Sequence, residues 1–362
     1  MGAGDIVFTK IGANIGDSAI LPRKYSKYNF SQNVAGAKIK SNEISPYYLA
    51  AYLSSKYGRI QLKRIQMLSG QGKLELVDIR KIPVVGASPE LQDSVGQLYL
   101  LAEDKIKNSI KCYVQAENLL LEELGLKDFK PKYELSYTAN LSKAFESHRI
   151  DAEYFQPCYD EVIKKIIEYQ NDYTQLLNCV ENVKPDFDPS KYPDKIFSYV
   201  ELADIDSSIG IIYGSNEIKG EEAPSRARRI LRKNDVIASS VEGSLEKVAL
   251  VDEEYEGSLA STRFFQFRSI KIFPEVLLVL SKSMVLQTQL KKECTGTILT
   301  AVPNEALKRI LIPIIPKETQ QKIASLVQRS HEARRKAKEL LEEAKRKVEE
   351  AIENERTMHH EK

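Results

Sequence analysis

Apolar residues in two long segments recur at a spacing that predicts helices. In residues 89–124 they fall close to a seven-residue period, and Gly125 is a suitable stop. In residues 316–354 the apolar spacing alternates between four and three residues from Ala337 to Ala351, as in a coiled coil. Neither stripe can stay exposed over so many turns, so the helices are predicted to pack antiparallel against each other. The predicted seam contains Ile106, Ile110 and Tyr113 from the first helix and Ala337, Leu341, Ala344 and Val348 from the second.

The rest of the chain alternates short apolar runs with turns, which is typical of β-strands. Residues 6–8 and 18–21 are strand candidates separated by Gly12 and Gly16. Residues 131–315 form a second, longer β-rich block. The predicted fold class is α+β, with two related β-rich domains separated by two long helices that pack as an antiparallel coiled coil.

The two β-rich blocks also resemble each other in sequence. Residues 4–7 match 234–237, and residues 18–21 match 248–251. The stretch 148–233 has no counterpart in the first block, so we expect that block to be an incomplete domain. The expected boundaries are 1–88 for the first block, 89–130 for the first helix, 131–315 for the second block, and 316–362 for the second helix with a polar tail.

Composition limits the possible functions. A length of 362 residues allows two or three domains with substantial cores. The net charge is only +2, so any affinity for nucleic acid must come from local patches. The four cysteines share no CxxC spacing and fit reduced thiols better than disulfides or a zinc site. No signal peptide or membrane-spanning run is recognised, and a cytoplasmic location is expected.

The sequence contains no recognisable catalytic constellation. Residues 69–73 resemble the end of a phosphate loop, but Leu74 stands where serine or threonine is needed. His359 and His360 lie in a polar tail, where a disordered tail is a simpler interpretation than a metal site. No methyltransferase motif or cofactor loop is present. We therefore expect a protein that is not itself an enzyme and that needs neither a metal nor a cofactor.

Several polar segments are candidates for contact with DNA. Arg226, Arg228 and Arg229 precede a predicted strand, and arginine forks bind phosphates and guanine edges. A solvated turn paired with Glu221 and Glu222 is the alternative. Turns between equivalent strands of the two blocks also carry polar residues, although turn chemistry alone would select many of them. The remaining candidates are Lys10, Asn14, Gln71 and Lys73 in the first block and Tyr213, Asn216, Ser240, Ser244, Arg263 and Thr297 in the second.

Taken together, these segments resemble the specificity subunit of a type I restriction-modification system. The resembling segments include 4–8, 46–49 and 81–84 in the first half and 223–228 and 235–237 in the second. Each motif is short, but their duplicated order, each time leading into a long helix, is specific.

The resemblance implies two target recognition domains, each of which reads half of a split site in double-stranded DNA. It implies that the coiled coil holds these domains apart and docks methyltransferase (modification) subunits, two being expected, and that a restriction subunit joins the assembly. The incomplete first block puts recognition of the first half-site in doubt. A coiled-coil assembly protein that joins partners without reading DNA is the alternative, and an enzyme with fused activities is a third hypothesis, disfavoured by the missing motifs.

Overall fold

The computed structural model describes residues 1–360 apart from 13, 41–42, 69–72 and 297–299, and the side chains of all of these apart from 67–68 and 355–360. The chain divides into two compact units. Unit 1 contains residues 1–108 and 332–362, and unit 2 contains residues 109–331. This division cuts both long helices, so it differs in kind from the domain boundaries expected from the sequence, which stay a prediction.

Unit 1 combines a small sheet with helices. Its strands are β1 (Ile6–Thr9), β2 (Ser18–Ile20) and β3 (Val34–Ala37), in the order β2-β1-β3 with antiparallel pairing. Three helices follow, α1 (Pro46–Ser54), α2 (Lys56–Leu68) and α3 (Leu76–Ile79). Strand alternation turns Ile6 and Phe8 into the core, where they meet α1, while Val7 on the opposite face is only half-buried.

The two long helices are α4 (Pro89–Glu123) and α9 (Lys317–His360). Both units show that they run antiparallel. In unit 1, Val95 and Tyr99 share a core with Ala344, Val348 and Ile352. In unit 2, Ser109 meets Ser330 and Glu123 meets Thr319, so the partner number falls as the residue number rises. The predicted pair of antiparallel helices is confirmed.

One predicted seam residue of α4 needs correction. Ile110 is 39% exposed, whereas Ser109 is fully buried. The buried positions Ala102, Ser109, Tyr113 and Ala116 follow a heptad that passes through Ser109. The small serine side chain lets the helix backbones approach there, and Ile110 is rotated toward solvent. The other predicted seam residues are buried or half-buried.

Besides parts of the two long helices, unit 2 contains α5 (Leu141–Ser147), α6 (Pro157–Ile167), α7 (Pro274–Lys282) and α8 (Met284–Glu293). It contains a six-stranded, a four-stranded and a two-stranded sheet, in the orders β5-β14-β11-β12-β8-β7, β10-β13-β6-β9 and β15-β4. The strands are β4 (Tyr173–Gln175), β5 (Val180–Asn182), β6 (Ile196–Val200), β7 (Ile205–Asp206), β8 (Ile211–Ile212), β9 (Asn216–Lys219), β10 (Ala227–Ile230), β11 (Val236–Ser239), β12 (Val248–Leu250), β13 (Leu259–Ser261), β14 (Phe264–Ser269) and β15 (Leu311–Pro313).

The six-stranded sheet is covered on both faces. Val236 and Ala238 of β11 pack with α7 and α8, whereas Ile237 packs on the opposite face with residues of the four-stranded sheet such as Val200 and Ala260. All four residues of β11 are therefore buried. A continuously apolar strand is the expected sequence for such a position.

The sequence repeat is reproduced in the hydrogen bonding of the two units. The pairs Ile6↔Ile20 and Val7↔Ala19 of β1–β2 correspond to Val236↔Leu250 and Ile237↔Ala249 of β11–β12. The β1–β3 register likewise corresponds to that of β11–β14. Gly4 and Asn234 precede the equivalent strands, and both have positive φ angles, +85° and +70°. Asparagine tolerates this left-handed conformation better than most residues other than glycine.

Candidate nucleic-acid interface

One end of each of the four strands lies along the same side of the four-stranded sheet of unit 2. The register pairs Ala227 with Ser261, Ala260 with Val200, and Tyr199 with Asn216. The turn before β10 and the first residue of β9 therefore lie at the same end of this sheet. The amide of Thr262 donates to the carbonyl oxygen of Arg226 at 2.8 Å and fixes the neighbouring turn beside it.

The turn between β11 and β12 lies next to these strand ends. Ser240 donates to the carbonyl oxygen of Arg263 through both its amide and its hydroxyl, each at 2.8 Å. Glu242 donates its amide to Thr300 at 2.9 Å. We call the resulting surface the loop face of unit 2, defined as residues 215–216, 224–226, 240–247, 262–263 and the described part of 294–302. It brings together five predicted contact residues, namely Asn216, Arg226, Ser240, Ser244 and Arg263.

The three clustered arginines have different environments. Arg226 is exposed, and its side chain has no ion pair within the part of the chain that the structure describes. Arg228 is held 3.0 Å from Asp188 and donates to the Ser225 carbonyl oxygen. Arg229 is only 3% exposed and donates to the Val183 carbonyl oxygen. A register shift between Ala227 and Arg229 explains this burial, because it places Arg229 opposite Ala260, which packs between the four-stranded and six-stranded sheets.

The predicted contact by Arg229 is therefore not available in this conformation. Burial lowers the pKa of its guanidinium to about 10. Its Nε atom has no hydrogen-bond partner among the described residues. Of these three arginines, Arg226 alone is exposed and has no ion pair with any residue that the structure describes.

The hydroxyl groups of Ser244 and Tyr213 form hydrogen bonds within the protein. The Ser244 hydroxyl lies 3.0 Å from that of Ser239 and donates to the Val241 carbonyl oxygen. Tyr213 is 56% exposed, but its hydroxyl donates to the carbonyl oxygen of Ala203 at 2.7 Å. These hydroxyls shape the turns and keep acceptor lone pairs for a ligand. Thr297 lies outside the described residues.

Unit 1 has an equivalent turn between β1 and β2. The Lys10 amide donates to the Asn33 carbonyl oxygen at 2.8 Å, as the Ser240 amide does to Arg263. The exposed Asn14 corresponds to Ser244. Lys73 forms an ion pair with Glu75 at 2.9 Å. Gln71, the remaining predicted contact residue of unit 1, lies outside the described residues.

Comparison with known proteins addresses unit 2 most directly. Residues 195–346 match the family model of the type I restriction modification DNA specificity domain. This segment belongs to the type I restriction-modification specificity family. It runs from β6 to within α9 and contains the whole loop face.

Several solved structures are similar to the chain. The HsdS subunit from Thermoanaerobacter tengcongensis is 34% identical over 45% of this chain and 43% of that chain, with a TM-score of 0.38. A chain from a study of complex assembly and conformational transition of the type I R-M system gives the same identity and coverage, with a TM-score of 0.39. The S subunit from M. genitalium is 10% identical over 96% of this chain and 83% of that chain, with a TM-score of 0.41. The chain spans less than half the length of the first two. No curated protein matches the chain significantly.

The β11–β12 turn also contains three charged residues that were not among the predicted contact residues. Lys247 ends the β11–β12 turn and donates to the Ile205 carbonyl oxygen at 2.9 Å. Glu242 and Glu246 are exposed in the same turn. The register of the β11–β12 hairpin, readable from the repeat, could have marked all three as turn residues.

A buried polar network joins β11 to β14 at the ends of these strands that lie away from the loop face. Asp235 is 1% exposed and accepts from Gln266 at 2.7 Å and from Arg268 at 3.0 Å. The bond to this carboxylate raises the pKa of Arg268. These bonds fix the pairing of β11 with β14, whose opposite ends lead to Ser240 and Arg263. A fixed backbone is what a surface needs if it is to present donors to DNA at set positions.

The described part of the chain contains no helix long and apolar enough to cross a membrane. Within the same residues, no group of three or more His, Cys, Asp or Glu side chains could hold a metal ion.

Proposed function

We propose that the chain is a non-catalytic specificity subunit that reads DNA through the loop face of unit 2. The observation that carries this proposal is the position of Arg226 and Arg263, which extend from neighbouring turns inside the segment that matches the specificity domain. Guanidinium forks at set positions can hold phosphates or bind the O6 and N7 atoms of guanine.

The charges of the loop face favour selective over general DNA binding. Arg226, Arg263 and Lys247 lie among the exposed Glu242 and Glu246, so the surface is not uniformly positive. Carboxylates repel phosphates, which weakens binding to any duplex. A glutamate in the major groove can instead accept a hydrogen bond from the cytosine amino group. The mixture therefore suits base recognition supported by a few phosphate contacts.

We further propose that the β1–β2 turn of unit 1 contacts a second part of a bipartite site. Lys10 and Asn14 occupy positions equivalent to Ser240 and Ser244. Lysine and asparagine are suited to phosphate and base-edge contacts. The repeated register supports an equivalent role for the two turns.

We also propose that the long helices dock the methyltransferase subunits, two of them, to which a restriction subunit is added. Leu101 of α4 is 51% exposed and lines a groove with Lys105, Glu339 and Leu340 within unit 1. An exposed leucine beside charged residues is suited to a protein interface. Leu101→Asp should weaken co-purification of the methyltransferase subunit, whereas Lys107→Asp, an exposed change outside the groove, should not.

DNA binding is tested by measuring affinity for duplex DNA across a range of salt concentrations. Arg226→Ala should lower the slope of log affinity against log salt by about one unit if the side chain contacts a phosphate. Arg232→Ala is the matched control, because Arg232 is an exposed arginine beyond the opposite end of β10. Equal slopes for the parent and both variants would remove Arg226 from the interface. No salt-dependent binding at all would favour a scaffold that joins partners without reading DNA.

A further inference from the structure

Because the two units are related by the sequence repeat, equivalent surfaces in them can be compared. One such surface is covered in unit 2 and open in unit 1. Each unit contains local contacts that are equivalent to contacts in the other, in addition to the equivalent strands. The Ser45 amide donates to the side-chain oxygen of Gln92 at 2.7 Å, and the Phe273 amide donates to that of Gln320 at 3.2 Å. Residues of unit 1 from α1 to the start of α4 can therefore be aligned with residues of unit 2, and α2 corresponds to α8.

In unit 2, residues 149–175 cover α8 and β15. We call them the covering segment. It contains a 3-10 helix (Ala152–Phe155), α6 and β4, which pairs antiparallel with β15. Lys292 of α8 donates to Asp160 at 2.8 Å and lies 5.1 Å from the ring centre of Tyr154. Apolar residues of α6, such as Val162, enter the core of unit 2.

The matching surface of unit 1 is an open cavity of about 390 Å³, which we call the unit 1 cavity. Arg64 corresponds to Lys292, and Lys81 corresponds to Arg309. Ile60, one turn before Arg64, is 61% exposed. Gln289 is 2% exposed beneath the covering segment, whereas its counterpart Gln61 lines the cavity. The cavity is lined by Gln61, Arg64, Ile65, Asp78, Lys81, Ile82 and Pro83.

We propose that the unit 1 cavity binds an acidic helix–strand segment that has the chemistry of residues 149–175. The helix would bury apolar residues against Ile60 and Ile65 and place an acidic side chain opposite Arg64, as Asp160 lies opposite Lys292. The strand would pair along residues 83–85, which correspond to β15. Lys81 is paired with Asp78 at 3.1 Å, so Arg64 leaves the cavity with a net positive charge that favours an acidic segment with aromatic residues over a basic one.

The edges of the unit 1 sheet support the same proposal. In unit 2, β12 is paired with β8 and β14 with β5, and the Leu250 amide donates to the Gly210 carbonyl oxygen at 3.1 Å. Within the described residues of unit 1, β2 and β3 are the edges of a three-stranded sheet. Edge strands with unpaired backbone groups readily accept an added strand. A segment extending beyond the cavity could therefore continue onto these edges.

The test uses the full chain and a fluorescent peptide with the sequence of residues 149–175, without DNA. Fluorescence anisotropy should show saturable binding of one peptide per chain. Arg64→Glu in the chain should weaken binding by about tenfold, equivalent to about 1.4 kcal/mol. Arg59→Glu is the matched control, since Arg59 is exposed on the same helix and lies 3.9 Å from Asp17.

A charge reversal locates the peptide. A peptide with Asp160→Lys should bind the parent chain weakly and regain affinity for the Arg64→Glu chain. Circular dichroism of each chain variant establishes that it is folded. Absence of saturable binding by the parent peptide would overturn the proposal. Binding that is indifferent to Arg64→Glu would also overturn it, because the peptide would then occupy another surface, such as its own site in unit 2. Neither result bears on DNA binding by the loop face.

Discussion

The hydroxyl groups of Ser109 and Ser330 lie 3.2 Å apart inside the seam between the two long helices. Both residues are fully buried, and Ser330 also donates to the Ser109 carbonyl oxygen at 2.8 Å. Serine is small enough to let two helix backbones approach. The bonded pair also satisfies two polar groups that would be costly to bury alone. A polar pair at one seam position favours a single register of the helices.

Removal of this bond should destabilise unit 2. Ser330→Ala deletes the donor to Ser109 and is expected to lower the free energy of unfolding by about 1 kcal/mol. Ser325→Ala is the control, because Ser325 is exposed on the same helix and the change has the same effect on helix propensity. Urea unfolding of both variants measures the difference. If the two variants were equally stable, the buried pair would contribute nothing beyond its packing.

Arg229 should matter for stability and not for DNA. Its guanidinium is buried without a carboxylate partner among the described residues, and burial lowers its pKa to about 10. Arg229→Met keeps an unbranched side chain and removes the buried charge, so the thermal midpoint should stay equal or rise. The salt dependence of DNA affinity should not change. A slope reduced by about one unit would instead show that Arg229 turns outward to a phosphate.

His331 should make unit 2 less stable in mild acid. Its Nε2 atom lies 2.9 Å from the Ile209 carbonyl oxygen, and desolvation lowers the pKa of the ring below its ordinary 6.5. The unfolded chain therefore takes up the proton first as the pH falls. The contribution to stability is complete above the unfolded pKa. It should decline below that pKa by up to about 1.4 kcal/mol per pH unit, until the native ring is also protonated.

Urea unfolding at several pH values from about 7.5 to about 5 measures this contribution. His331→Gln should flatten the decline, whereas the exposed His148→Gln should leave it unchanged. The same decline in the parent and in His331→Gln would assign the pH dependence to other groups.

Local patterns in the sequence predicted the helices and strands of this fold correctly, but they predicted the burial of single residues less well. The long helices and the duplicated strands follow from apolar spacing, which acts over neighbouring residues. Ile110 was wrongly placed in the seam because the partner helix decides which side of the heptad is covered. Ser109 carries no apolar signal that would mark it as buried.

The interface was only partly predictable for a similar reason. The burial of Arg229 depends on the register shift in β10 that places it opposite Ala260, and the local sequence does not mark that shift. The approach of Thr262 to Arg226, and of Ser240 to Arg263, depends on strand order within two sheets. Sequence spacing does not determine that order, so the loop face became visible only in three dimensions.

Site-specific photocrosslinking tests the central claim most directly, namely that the loop face of unit 2 contacts DNA. A benzophenone amino acid is introduced in place of Glu242, at the β11–β12 turn, or in place of Glu256, an exposed position outside the loop face. The proposed function predicts a crosslink to duplex DNA from position 242 that competitor DNA and high salt suppress, and none from position 256. Equal crosslinking from both positions, or crosslinking from 256 alone, would contradict it.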